Sequence, residues 1–153
     1  MSSRSELLQR LTDCDQWNSR GVSPRTRIES LGNAADCLSY SLILWPDFIQ
    51  HDECVLWKGV DNYEEWKQAY AGDRTRVEAM MNHLHISDLF QDRAPKSRDV
   101  VLALGRLLKE TWAAKLAQDF PSRSFVVSFP DDFETDHLEE YEITFYEDQK
   151  SAE

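Results

Sequence analysis

The chain has 153 residues, 41% of them hydrophobic, and its 17 Lys+Arg against 28 Asp+Glu leave a formal charge of −11. Its five Trp, five Tyr and seven Phe exclude a disordered acidic tail, which could not bury enough apolar surface. Five Gly and five Pro exclude collagen-like and linker-type chains, and the length suits one domain, 1–153, whose core needs no staples.

Taken in chain order, Ser3–Trp17 predicts a first helix. Ser3 and Glu6 have the spacing of a capping box, and Leu7, Leu8, Leu11 and Cys14 recur helically until Gly21 and Pro24. Val22–Asn33 reads as a polar connector. Ala34–Trp45 fits two patterns. Leu38, Tyr40, Leu42 and Leu44 alternate with serines as in a strand, while Asn33 as N-cap and Pro46 as terminator suit a helix, which is the reading preferred. Glu53–Lys58 predicts a short strand ended by Gly59. Asn62–Tyr70 predicts a short helix, and Asp73 caps another whose stripe is Val77, Met80, Met81 and Leu84. Ser97–Gln118 carries the clearest helical stripe, with Val101, Leu104, Leu108 and Trp112 three and four apart. The period then changes to two, and Ser124–Phe129 and Glu140–Glu147 predict an antiparallel pair that Glu53–Lys58 could extend to three strands. The expected class is α+β: four to five helices on a small antiparallel sheet with a C-terminal β-hairpin.

The opening residues contain no uninterrupted apolar stretch, and no apolar run approaches the roughly 20 residues needed to cross a bilayer. Cys14, Cys37 and Cys54 are odd in number and form no Cys-x-x-Cys pair, so they read as small buried hydrophobes in a reducing compartment. A cytoplasmic, membrane-free protein is expected.

Charge is concentrated. Residues 131–153 hold ten acidic residues and one basic, Lys150, a net of −9 that leaves −2 for the rest of the chain. A solvated edge explains this, since charge discourages edge-to-edge strand pairing. A docking face for a basic partner explains it as well, and Asp131, Asp132, Glu134, Asp136, Glu139, Glu140 and Glu142 are its candidate residues. Direct nucleic-acid binding is disfavoured, because phosphate neutralisation needs Lys/Arg clusters that this segment lacks.

Linear motifs for chemistry mostly fail. His83, His85 and Asp88 resemble a metal set, but on the expected helix residues two apart point to nearly opposite faces. Asp132, Glu134 and Asp136 have calcium-loop spacing, yet His137 replaces the turn glycine and Ile143 the bidentate glutamate. No Gly-x-Ser-x-Gly elbow or Gly-rich phosphate loop occurs. Cys54 reads as a core thiol rather than a nucleophile. No catalytic residue, metal ligand or cofactor is assigned.

Tryptophans pack in cores by default. Trp45, Phe48, Trp57 and Trp66 would form an aromatic contact surface if exposed side by side, and homo-oligomerisation through such a surface is compatible with any function. The expected function is a non-enzymatic protein-binding module, an inhibitor or accessory subunit, docking a basic partner through the C-terminal acidic face. The alternative is a small enzyme whose acid/base site assembles from His51, His83, His85 or His137 with carboxylates.

Overall fold

The computed structural model describes Glu6 and residues 23–57, 59–90, 95–130, 135 and 137–149. The expected first helix, Ser3–Trp17, lies outside these residues except for Glu6, as do Asp131, Asp132, Glu134 and Asp136. The chain forms two compact units, Met1–Leu42 and Ile43–Glu153. The described residues hold five helices and two small antiparallel sheets, an α+β fold.

In the first unit, the stretch expected as a polar connector is largely helical: α1 spans Pro24–Leu31. Pro24, read from the sequence as a terminator, instead opens this helix, where its missing N–H would have no intrahelical partner anyway. Ser23 Oγ accepts the Thr26 N–H at 3.2 Å. Arg25 pairs with Glu29 one turn on, at 2.7 Å. The ambiguous segment is a helix, α2, Ala34–Leu44. Asn33 Oδ1 accepts the Asp36 N–H at 2.9 Å, the capping bond its sequence suggests. The serines that mimicked strand alternation turn their hydroxyls back to helix carbonyls, Ser39 to Ala35 at 2.9 Å and Ser41 to Leu38 at 2.7 Å. Cys37, expected to be buried, is exposed on this helix, none of whose residues is buried.

The second unit begins its sheet structure with a hairpin of β1, Ile49–His51, and β2, Cys54–Leu56, with His51 opposite Cys54. Asp52 in the two-residue turn has φ 51°, a left-handed conformation that aspartate tolerates better than most residues. The strand expected over Glu53–Lys58 therefore pairs with residues just before it and does not extend the C-terminal ribbon. Helix α3 spans Tyr63–Ala69. Helix α4 spans Arg74–Met81, and Asp73 caps it by accepting the Arg76 N–H at 3.2 Å. Its stripe was expected to run on through Leu84, but Leu84–His85 forms a short strand, β3. Helix α5 spans Arg98–Asp119, followed by β4, Phe125–Ser128, and β5, Glu142–Glu147. The three-stranded sheet has the order β3-β5-β4, so the expected hairpin is present and its third strand comes from residues 84–85.

One face of α5 builds the main core against β5 and its neighbours, with Val101, Leu108, Trp112 and Leu116 beside Tyr141, Ile143 and Phe145. Trp112 is fully buried, and its Nε1–H donates to the Ile43 carbonyl at 2.8 Å. Leu104, expected in this core as part of the stripe, is only half-buried, because Leu102 and Gly105 occupy inward positions. Gly105 allows a close approach: a Cβ there would overlap the Phe129 ring.

Two polar side chains complete the frame. Glu78 on α4 and Asn82 just past its end, four apart, are fully buried. Glu78 accepts the Val55 N–H of β2 at 2.8 Å and the Glu147 N–H of β5 at 2.7 Å. Asn82 Oδ1 accepts the Trp57 N–H at 2.9 Å, and its Nδ2 donates to the carbonyls of Val55 at 2.9 Å and Phe145 at 3.2 Å. One face of α4 thereby bonds to strands of both sheets. Asn82, held in these bonds, is also where the helix stops, and the chain leaves it extended.

Candidate functional site

The described acidic candidates, Glu139, Glu140 and Glu142, differ in setting from Glu147, a carboxylate of the same segment outside that set. Glu147 is consumed structurally. Arg123 grips its carboxylate with two bonds of 3.0 and 2.6 Å, and Arg74 reaches the same group at 2.6 Å. Glu139, Glu140 and Glu142 are exposed. Among the described residues none of the three is paired with a lysine or arginine. Their charged neighbours are histidines: His137 Nδ1 lies 3.4 Å from Glu139, and His85 Nε2 lies 3.8 Å from Glu142.

Local structure sets this arrangement. A turn of 3-10 helix at Leu138–Glu140 leads into β5, presenting Glu139 and Glu140. His85 Nδ1–H donates to the Glu139 carbonyl at 2.8 Å, which ties that turn to β3. His85 and Glu142 are direct cross-strand partners. The premise that kept His83 and His85 apart fails, because the stretch is extended and their ring centres lie 5.7 Å apart. His83 Nδ1 meets the Met80 carbonyl, which accepts its proton.

Both histidines line an open cleft of about 400 Å³ between α4 and the β3–β5 edge. Tyr70, Arg76, Met80, Glu142 and Thr144 also line it. Arg76 lies over the Tyr70 ring, 5.6 Å from its centre, so a cation and an aromatic face share one wall. A carbonyl can only accept, so His85 Nδ1 carries a proton, and its Nε2 faces Glu142. The cleft thus offers acceptors on the strand side and one guanidinium on the helix side. Sequence reasoning found its histidines and Glu142, but not Tyr70, Arg76 or Thr144, which come from three elements without a shared motif.

The aromatic candidates separate. Phe48 packs edge-on against Phe145, 4.9 Å between centres, and Trp57 packs on Trp112 at 5.1 Å. Trp66 stacks on Tyr70 at 5.8 Å. Trp45 is exposed, with the Lys115 ammonium 5.9 Å from its ring. Cys54 is buried, and burial pushes its thiol up while the Tyr63 hydroxyl donates to its sulfur at 3.8 Å. A thiol so held stays protonated at neutral pH and is a poor nucleophile.

No helix of the described residues is long and apolar enough to cross a membrane. Comparison with family models, curated proteins and solved structures returned no match.

Proposed function

We propose that the chain is a protein-docking module that engages a basic partner through the carboxylates of its C-terminal segment. The observation that carries this reading is the contrast within the segment. Glu147 is neutralised by two arginines, whereas Glu139, Glu140 and Glu142 are exposed and, among the described residues, none of them is paired with a lysine or arginine. Uncompensated surface charge contributes little to fold stability, but it speeds encounter with an opposite charge and fixes its orientation. The neighbouring cleft gives an incoming side chain a seat next to Glu142. A reducing, cytoplasmic location belongs to the same reading, supported by the free thiols of Cys37 and Cys54.

The test is affinity capture from host extract with two baits, the wild-type chain and a Glu139→Gln, Glu140→Gln, Glu142→Gln variant, at low and high salt. Proteins retained by the wild type in dilute buffer and lost by the variant support docking. Equal retention of every protein by both baits contradicts it.

A second reading, a small acid–base enzyme, is favoured by the His85–Glu142 pair in an open cleft, the arrangement of a positioned general base. His85→Gln separates the two readings: a docking module keeps its captured partner, whereas a hydrolytic or proton-transfer activity found in the chain would fall by about 10²–10⁴-fold.

A further inference from the structure

A different corner of the second unit gathers metal-ligating side chains that no linear motif connects. His51 ends β1, Asp52 begins the β1–β2 turn, and Glu64 lies in the first turn of α3. Each offers a ligand atom, and these atoms all lie within 4.8 Å of one another. His51 is not a loose surface ring. It packs edge-on against the Tyr63 ring at 4.6 Å between centres, and Tyr63 is buried.

The site also already seats a cation of its own. Lys67 Nζ lies 2.9 Å from Asp52 Oδ2 and 5.3 Å from the centre of the Tyr63 ring. One ammonium on a flexible, half-exposed stem neutralises Asp52 and leaves the imidazole lone pair unused. A dication touching all three side chains would neutralise both carboxylates and use that lone pair, while Lys67 swings into water.

We propose that His51, Asp52 and Glu64 form a binding site for a borderline divalent metal ion, of which Zn²⁺ is the representative. The donor set selects the class: an imidazole nitrogen favours zinc and the later transition metals, whereas magnesium and calcium prefer oxygen alone. Zinc bonds of about 2.0–2.2 Å to nitrogen and oxygen require the three donors to close by roughly 1 Å, a side-chain adjustment. Three protein ligands leave a fourth tetrahedral position for water or for a group from a partner.

Titration calorimetry of the full chain with Zn²⁺, and separately with Mg²⁺, tests this against His51→Ala, Glu64→Gln and Lys67→Met, with circular dichroism confirming that each variant is folded. The wild type should bind one Zn²⁺ at least about tenfold more tightly than Mg²⁺. His51→Ala and Glu64→Gln should each weaken Zn²⁺ at least about tenfold, and Lys67→Met should strengthen it. Zinc binding unchanged by His51→Ala would place the ion elsewhere, for instance at His83 and His85, and overturn the proposal. Absent zinc binding, or equal affinity for the two metals, would overturn it as well.

Discussion

Glu78 combines two opposing effects in one side chain. Burial pushes its carboxyl up, while backbone N–H bonds from Glu147 and Val55, and the charges of Arg123 and Arg74, pull the other way without cancelling the rise. A carboxyl raised in the folded state binds a proton more tightly there than in the unfolded chain. Its contribution is therefore fully present below the unfolded value, near 4.5, and is lost as pH rises through the folded one. The stability of wild type relative to Glu78→Gln should accordingly decline as pH rises from 4.5 toward neutrality, measured as paired thermal midpoints; a difference that grows with pH would contradict the account. Asn82→Ala strands the Trp57 N–H and two strand carbonyls, and should cost about 1–3 kcal/mol or more by denaturant unfolding. Gly105→Ala should cost at least about 1–3 kcal/mol, because the new methyl meets the Phe129 ring. A neutral Gly105→Ala would mean that Phe129 moves aside freely. Glu78 and Asn82 were open to detection in the sequence: they are polar residues four apart, each directly after an apolar stripe residue, Val77 and Met81. Their partners were not, since these lie 23 to 69 positions away.

Among the elements, those with a sustained period were legible. Ser97–Gln118 and the two C-terminal strands come out within a residue or two, because one long apolar stripe and a clean period of two leave little choice. Helix α1 was missed because Pro24 can end one helix or begin another, and only the Ser23 bond to Thr26 distinguishes the two. Strand β3 was missed because two residues are too few to show a period, and its conformation is imposed by pairing with β5. That single miss hid the meeting of His83, His85 and Glu142, so much of the cleft was illegible. The α5 stripe gives a graded expectation. Trp112→Ala should cost about 3–5 kcal/mol, since Trp112 is fully buried among Phe48, Trp57 and Phe145. Leu104→Ala should cost clearly less, because its side chain is half-buried at the edge of the same core. Equal costs in chemical denaturation would show that the inner face of the helix has been misassigned.

At the scale of the whole molecule, two arginines converge on Glu147, while Glu139, Glu140 and Glu142 are exposed. Arg74 and Arg123 converge on one carboxylate at the edge of the core, and Arg123 also binds the Glu53 carbonyl at 2.7 Å, which fixes the β1–β2 turn. Exposed Glu139, Glu140 and Glu142 contribute little stability, so replacing them with Gln should leave the thermal midpoint nearly unchanged, or raise it as self-repulsion falls. The decisive measurement is the association rate of a captured partner with wild type and with the three-fold Gln variant, at about 0.01 M and about 1 M ionic strength, where screening lengths are about 30 and 3 Å. Docking through these carboxylates predicts a wild-type rate well above the variant's in dilute buffer, and convergence of the two at high salt. Identical rates at both ionic strengths would contradict it.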